Sequence, residues 1–151
     1  MRFNQAEWDL VCYMGLDRAS RALRYRNHRE SGESDYSIHR NGYAAELAFC
    51  IDHDRMPDLG RRAHNDCDVC DVDVKYSRGH YMSIHRSTAD KNIGRFACYA
   101  GDPRDLTYMG WILRDDALVP EYERRGRSGH PYWSIPLHAL NGGLCESTLQ
   151  R

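Results

Sequence analysis

No apolar run in this chain approaches the ~20 residues that cross a bilayer. A membrane-spanning protein is therefore disfavoured. The stretch from Met1 to Val11, "MRFNQAEWDLV", lacks the apolar core of a signal peptide. A cytoplasmic protein is the expectation. Excess charge is missing too. The 21 Lys and Arg nearly balance the 22 Asp and Glu, for a formal net charge of −1. No global positive field draws the protein to nucleic acid or to an acidic membrane, so any such contact must come from locally clustered basic residues. There is no Gly-x-Ser-x-Gly elbow, no glycine-rich phosphate loop and no dinucleotide fingerprint. Nucleoside-triphosphate hydrolysis and hydride chemistry are disfavoured. With eight His, a Ser-His-Asp arrangement stays open. No internal repeat, linker or low-complexity segment divides the chain.

What is present is ordinary for a folded chain. Its 151 residues are 41% hydrophobic and 28% charged, which fits one domain with a real core, spanning residues 1–151. Of the six Cys, Cys12, Cys50 and Cys98 lie inside apolar-patterned segments. Reduced, buried thiols are expected there rather than disulfides.

The spacing predicts a first helix from about Gln5 to Arg26. Asn4 can cap it, with Glu7 at the capping-box position. Trp8, Val11, Cys12, Gly15, Ala19, Ala22 and Leu23 share one face, and Asp9, Arg18, Arg21 and Arg24 the other. The stretch "NHRESGESDYSIHR" reads as a loop. A second helix is predicted from about Asn41 to Asp52. Its run "YAAELAFCI" is apolar or aromatic except for Glu46. A helix apolar nearly all round is buried on most sides, so Glu46 needs a cation, a donor or a raised pKa.

Beyond that, Val69 to Lys75, Tyr81 to His85, Arg95 to Ala100 and Leu106 to Leu113 read as strands. "SRG" can turn the first two into a hairpin, and "GDPRD" joins the next two. "EYERRGRSGHP" reads as a loop, "YWSIP" as a last short strand and "PLHALNGG" as a terminal helical turn. Two helices followed by a mostly antiparallel meander make a mixed α/β (α+β) architecture.

The chemistry concentrates near "DVDVKYS", Asp71 to Ser77. Asp66, Asp68, Asp71 and Asp73 fall within eight positions. In an extended strand, residues two apart share a face. Asp73 and Lys75 then stand side by side, with Val72 and Val74 facing the other way. A solvated turn entering an edge strand explains the pattern. So does a magnesium-dependent phosphodiester site, since Mg²⁺ takes oxygen ligands, usually one or two carboxylates with water and substrate phosphate.

The run Asp68 to Lys75, "DVCDVDVK", resembles the D…(D/E)xK hairpin of the PD-(D/E)xK nuclease superfamily, the restriction-endonuclease-like fold. More broadly, Gly42 to Leu140 resembles a group of small phage-encoded proteins that share a Gly-Trp-Ile strand and an aromatic-x-x-Pro-x-x-Ala-Leu segment. The resemblance implies a central mixed sheet of about five strands flanked by helices. It implies a Mg²⁺ (or Mn²⁺) ion held by Glu46, Asp68 and Asp73. Lys75 would orient the attacking water, and in-line attack would leave a 5′-phosphate. Asp here replaces the commoner Glu at position 73, and Cys67, not Pro, precedes Asp68. Asp71 and Asp58 rival Asp68 as the lone acid. The implied substrate is nucleic acid, DNA before RNA. The implied location is the host cell cytoplasm, and a homodimer is possible. The alternative is a non-catalytic nucleic-acid- or protein-binding phage factor on the same scaffold.

Three further features have competing readings. Cys67 and Cys70 form a CxxC near His64, which can hold zinc, but no second pair sits at a fitting distance. His80, His85, Arg86 and Lys91 can form a basic rim for phosphates, or simply an exposed hairpin edge. Arg124, Arg125 and Arg127 lie in a Gly/Ser loop that can follow a nucleic-acid backbone or merely stay solvated.

Overall fold

The structure is a computed structural model that describes residues 1–22, 34–57, 71–127 and 129–142. Helix α1 runs Gln5–Ala22. Its start is the predicted capping box: the Glu7 N–H donates to Asn4 Oδ1 (3.0 Å) and the Asn4 N–H to Glu7 Oε2 (2.7 Å). Helix α2 runs Asp35–Asp52, six residues longer at its start than the apolar pattern implied. Ser34 caps it through the Ser37 N–H, and Asp35 complements the positive end of the helix dipole. Six of the fourteen residues of the expected loop, 35–40, are therefore helix. A local cap, not an apolar face, begins it.

Strands β1 Val72–Ser77, β3 Arg95–Asp102 and β4 Asp105–Leu113 form one sheet in the order β1-β3-β4. Strands β2 Tyr81–His85, β5 Glu123–Arg125 and β6 Pro131–Pro136 form a second, in the order β2-β6-β5. Single-turn helices α3 (Arg86–Ala89) and α4 (Arg114–Ala117) follow β2 and β4. The mixed α+β class is thus as expected, but the strand pairing is not. One sheet of about five strands is replaced by two of three. The "SRG" turn does not close a hairpin: β1 pairs in parallel with β3, and β2 pairs with β6. Only β3 and β4 form the expected antiparallel pair. β5 occupies part of what reads as a loop. Turn residues report where a chain reverses, but not which strand it then pairs with.

Two apolar clusters explain the division into three layers. Val11, Met14, Tyr43, Leu47 and Phe49 of the helices pack with Val72, Val74, Ala97 and Tyr99 on one face of the first sheet. Phe96, Cys98 and Ile112, on its other face, pack with Met82, Ile84, Trp133 and Ile135 of the second sheet. β2 alternates strictly between exposed and buried positions, as a strand with one wet face should. Cys50 and Cys98 are buried and Cys12 is half-buried, with no disulfide at any of the three. No helix among the described residues is long and apolar enough to cross a membrane.

α1 and α2 approach closely at Gly15. A Cβ there would lie 2.7 Å from Cα of Arg40, a backbone atom that cannot swing away. Overpacking of this kind costs about 1–3 kcal/mol. Gly15→Ala is expected to lower the unfolding free energy by that amount, read as a lower urea midpoint at unchanged slope. An unchanged midpoint would show that the helices can separate freely.

Candidate functional site

Val72 and Val74 turn toward the helices, so Asp73 and Lys75 project from the opposite face of β1. Asp73 is only 2% exposed. Its nearest β3 neighbour is Phe96, and that of Lys75 is Cys98, both in the second apolar cluster. The Lys75 ammonium forms an ion pair with Asp73 Oδ2. The ammonium is the partner that matches this nearly buried oxygen. Desolvating a carboxylate and an ammonium costs several kcal/mol each, which only close pairing offsets. Burial pushes the Cys98 thiol up to about 12, while the nearby Lys75 charge pulls it the other way.

Glu46 is 8% exposed, as its apolar surroundings implied. The cation it needs is Arg18 of α1. Arg18 Nη1 donates to Oε1 (2.6 Å) and Nη2 to Oε2 (2.7 Å), a two-pronged fork. The same guanidinium lies 4.8 Å from the centre of the Tyr43 ring. Helical periodicity placed Arg18 on the polar face, pointing to solvent. Its long side chain instead reaches across the helix interface. The demand of a buried Glu46 for a cation was legible, but the choice among the arginines was not.

Asp71 sits at the start of β1, with Oδ2 3.8 Å from Arg95 Nε. Its carboxylate lies against Gly94, where a Cβ would be 2.6 Å from Oδ2. Gly94 in turn lines an open polar groove of about 570 Å³ that also includes Lys91 and Arg114. Of the expected basic rim, His80, His85 and Arg86 are exposed along or beside β2. Arg86 is engaged by Asp90 at 3.1 Å. Asp68 lies outside the described residues, as do Asp66, Asp58 and the His64, Cys67 and Cys70 set. The structure thus brings Asp73 to Lys75 and Glu46 to Arg18.

Sequence reasoning missed one further polar cluster. The Tyr99 hydroxyl donates to Asp52 Oδ2 at 2.6 Å. Burial raises the Tyr99 and Tyr108 phenols well above their usual range, and Asp52 raises both further. Nothing in the spacing links Asp52, at a helix end, to a strand 47 residues on.

For a magnesium ion, the residues fit unevenly. Asp73 Oδ2 is held by Lys75 and both oxygens of Glu46 by Arg18, and the expected convergence of the two acids does not occur, because Glu46 sits in the helical layer across β1 from Asp73. Among the described residues, no three His, Cys, Asp or Glu side chains gather to hold a metal. Comparison with family models, curated proteins and solved structures finds no match for this chain.

Two measurements follow from these contacts. Arg18→Ala strands a nearly buried carboxylate and is expected to cost about 2–4 kcal/mol in urea unfolding, whereas Arg18→Met with Glu46→Met costs far less. Equal, additive losses would show that the fork contributes no coupling. The second concerns pH. The Cys98 thiol titrates near 12 when folded against an ordinary 9.0. Above pH ~9 the unfolded chain loses this proton first, so stability falls by roughly 1.4 kcal/mol per pH unit up to the folded value. Cys98→Ala should flatten the pH–stability curve by that slope, read as the difference from wild type. An unchanged curve would place the thiol in contact with solvent.

Proposed function

We propose that this protein hydrolyses phosphodiester bonds in nucleic acid, DNA before RNA, with a divalent metal. The observation that carries the reading is the ion pair of buried Asp73 with half-buried Lys75 on β1. Burial of two charges costs stability, and an apolar pair on this strand would pack at no such cost. The acid-x-Lys order matches the nuclease pattern quoted above. In this reading Asp73 and Asp68 hold Mg²⁺ or Mn²⁺, which supplies polarisation of the phosphoryl oxygen and a lower pKa for a bound water. Asp73 contributes Oδ2. Lys75, released from Asp73, orients the attacking water and neutralises charge developing on the phosphate. Glu46 has no part in this site, because it sits in the helical layer, across β1 from Asp73. The finer fold reading, a restriction-endonuclease-like core, belongs to the same proposal, as do a cytoplasmic setting, a phage origin and a homodimer.

The Arg18 fork on Glu46 favours a second reading, a scaffold of this type that binds nucleic acid or protein without cutting it. One assay separates them. Plasmid, single-stranded DNA and RNA are incubated with Mg²⁺ or Mn²⁺ and wild type, Asp73→Ala, Asp73→Asn or Lys75→Ala, with folding checked by circular dichroism. The nuclease reading expects metal-dependent cutting that falls at least ~100-fold in folded Asp73→Asn and Lys75→Ala, the scale on which a positioned acid or base contributes. Folded wild type that cuts none of the three substrates would leave the binding reading.

A further inference from the structure

The second sheet has one face packed and one face wet. Met82, Ile84, Trp133 and Ile135 point inward. The alternate residues therefore point outward: Tyr81, Ser83 and His85 on β2, and Tyr132 and Ser134 on β6. Tyr81 is 56% exposed, with Ser83 and His85 exposed beside it. The strand register aligns these residues in rows. His85, Tyr132 and Arg124 lie directly opposite one another across all three strands. The His85 and Tyr132 ring centres are 6.4 Å apart. Arg124 donates only to the carbonyls of Glu121 and Glu123, at 2.8 and 2.7 Å, so its positive charge is not cancelled. Arg125, the last residue of β5, is exposed but alternates to the other face, and Arg127 lies exposed beyond the strand. Among the described residues none of these three arginines is paired with a carboxylate. The outward positions of β2 and β6 carry no acid.

We propose that this outer face of the second sheet binds single-stranded DNA, with bases on Tyr81 and Tyr132 and phosphates along Arg124 and, past the end of its strand, Arg127. Unpaired bases expose a flat face that an open sheet of aromatic side chains can stack on, whereas a duplex hides it. Tyr81 and the His85–Tyr132 row are four residues apart along β2, about 14 Å at the rise of an antiparallel strand, which a short single strand spans. Positive charge runs along one edge of the face, as a phosphate backbone requires. Serine hydroxyls occupy the row between. This face lies on the far side of the second sheet from Asp73 and Lys75. The choice of DNA over RNA rests on the proposed function. The binding face itself does not.

The test is fluorescence anisotropy of a labelled oligo-dT in EDTA, where no metal-dependent cutting occurs. The competitors are oligo-rU, duplex DNA of equal length and heparin. Binding to oligo-dT that weakens about tenfold in Tyr81→Ala and in Tyr132→Leu is expected. The leucine keeps the packing of the half-buried Tyr132. Arg124→Ala should reduce the salt dependence by about 0.7 in log–log slope, one phosphate contact on a single strand. Equal binding of heparin or duplex, unmoved by either tyrosine change, would reduce the face to a plain polyanion patch and overturn the proposal. Preference for oligo-rU would overturn the choice of DNA, and no binding would overturn the whole. A protein that cuts nothing with metal yet binds oligo-dT in this way keeps the inference and loses the nuclease reading.

Discussion

A carboxylate at 2% exposure has to be matched by charge, and Asp73 is matched by the lysine two residues along its own strand. That pairing is what lets β1 be buried on both faces. Its valines face the helices and its charges face the second sheet. Without Lys75, the second apolar layer would close over an uncompensated anion, at a cost of several kcal/mol. The three-layer arrangement therefore depends on a local i, i+2 relation that extended geometry guarantees.

The helical layer has a parallel solution. Glu46 is also buried, but its partner comes from another element. Arg18 crosses from α1 and holds both carboxylate oxygens, while its guanidinium lies over Tyr43. This fork and the close approach at Gly15 fix the two helices against each other. The two buried acids thus differ in kind. One is neutralised within a strand and the other across an interface.

Charge is distributed in the same layered way. The buried layer carries the acid–lysine pair. The outer face of the second sheet carries aromatic rings and Arg124. A protein with a net charge of −1 can still present a local positive edge, because strand register gathers residues that are far apart in sequence, such as His85 and Arg124. Electrostatic attraction to a phosphate backbone acts over about a Debye length, so local placement outweighs the total.

The sequence alone determined what local rules control. The Asn4–Glu7 box, the one-sided strand Tyr81–His85, the side-by-side Asp73 and Lys75, the packed Val72 and Val74 and the enclosure of Glu46 all follow from periodicity and capping. Tertiary structure decided the rest. The parallel pairing of β1 with β3, the transfer of β2 to a second sheet, the reach of Arg18 to Glu46 and the bond from Tyr99 to Asp52 each join distant segments. Periodicity states which face of an element is buried but carries no information about what buries it. Packing of the whole chain settles that, since many pairings satisfy the same alternation and only one fills the core without leaving Asp73 or Glu46 unmatched.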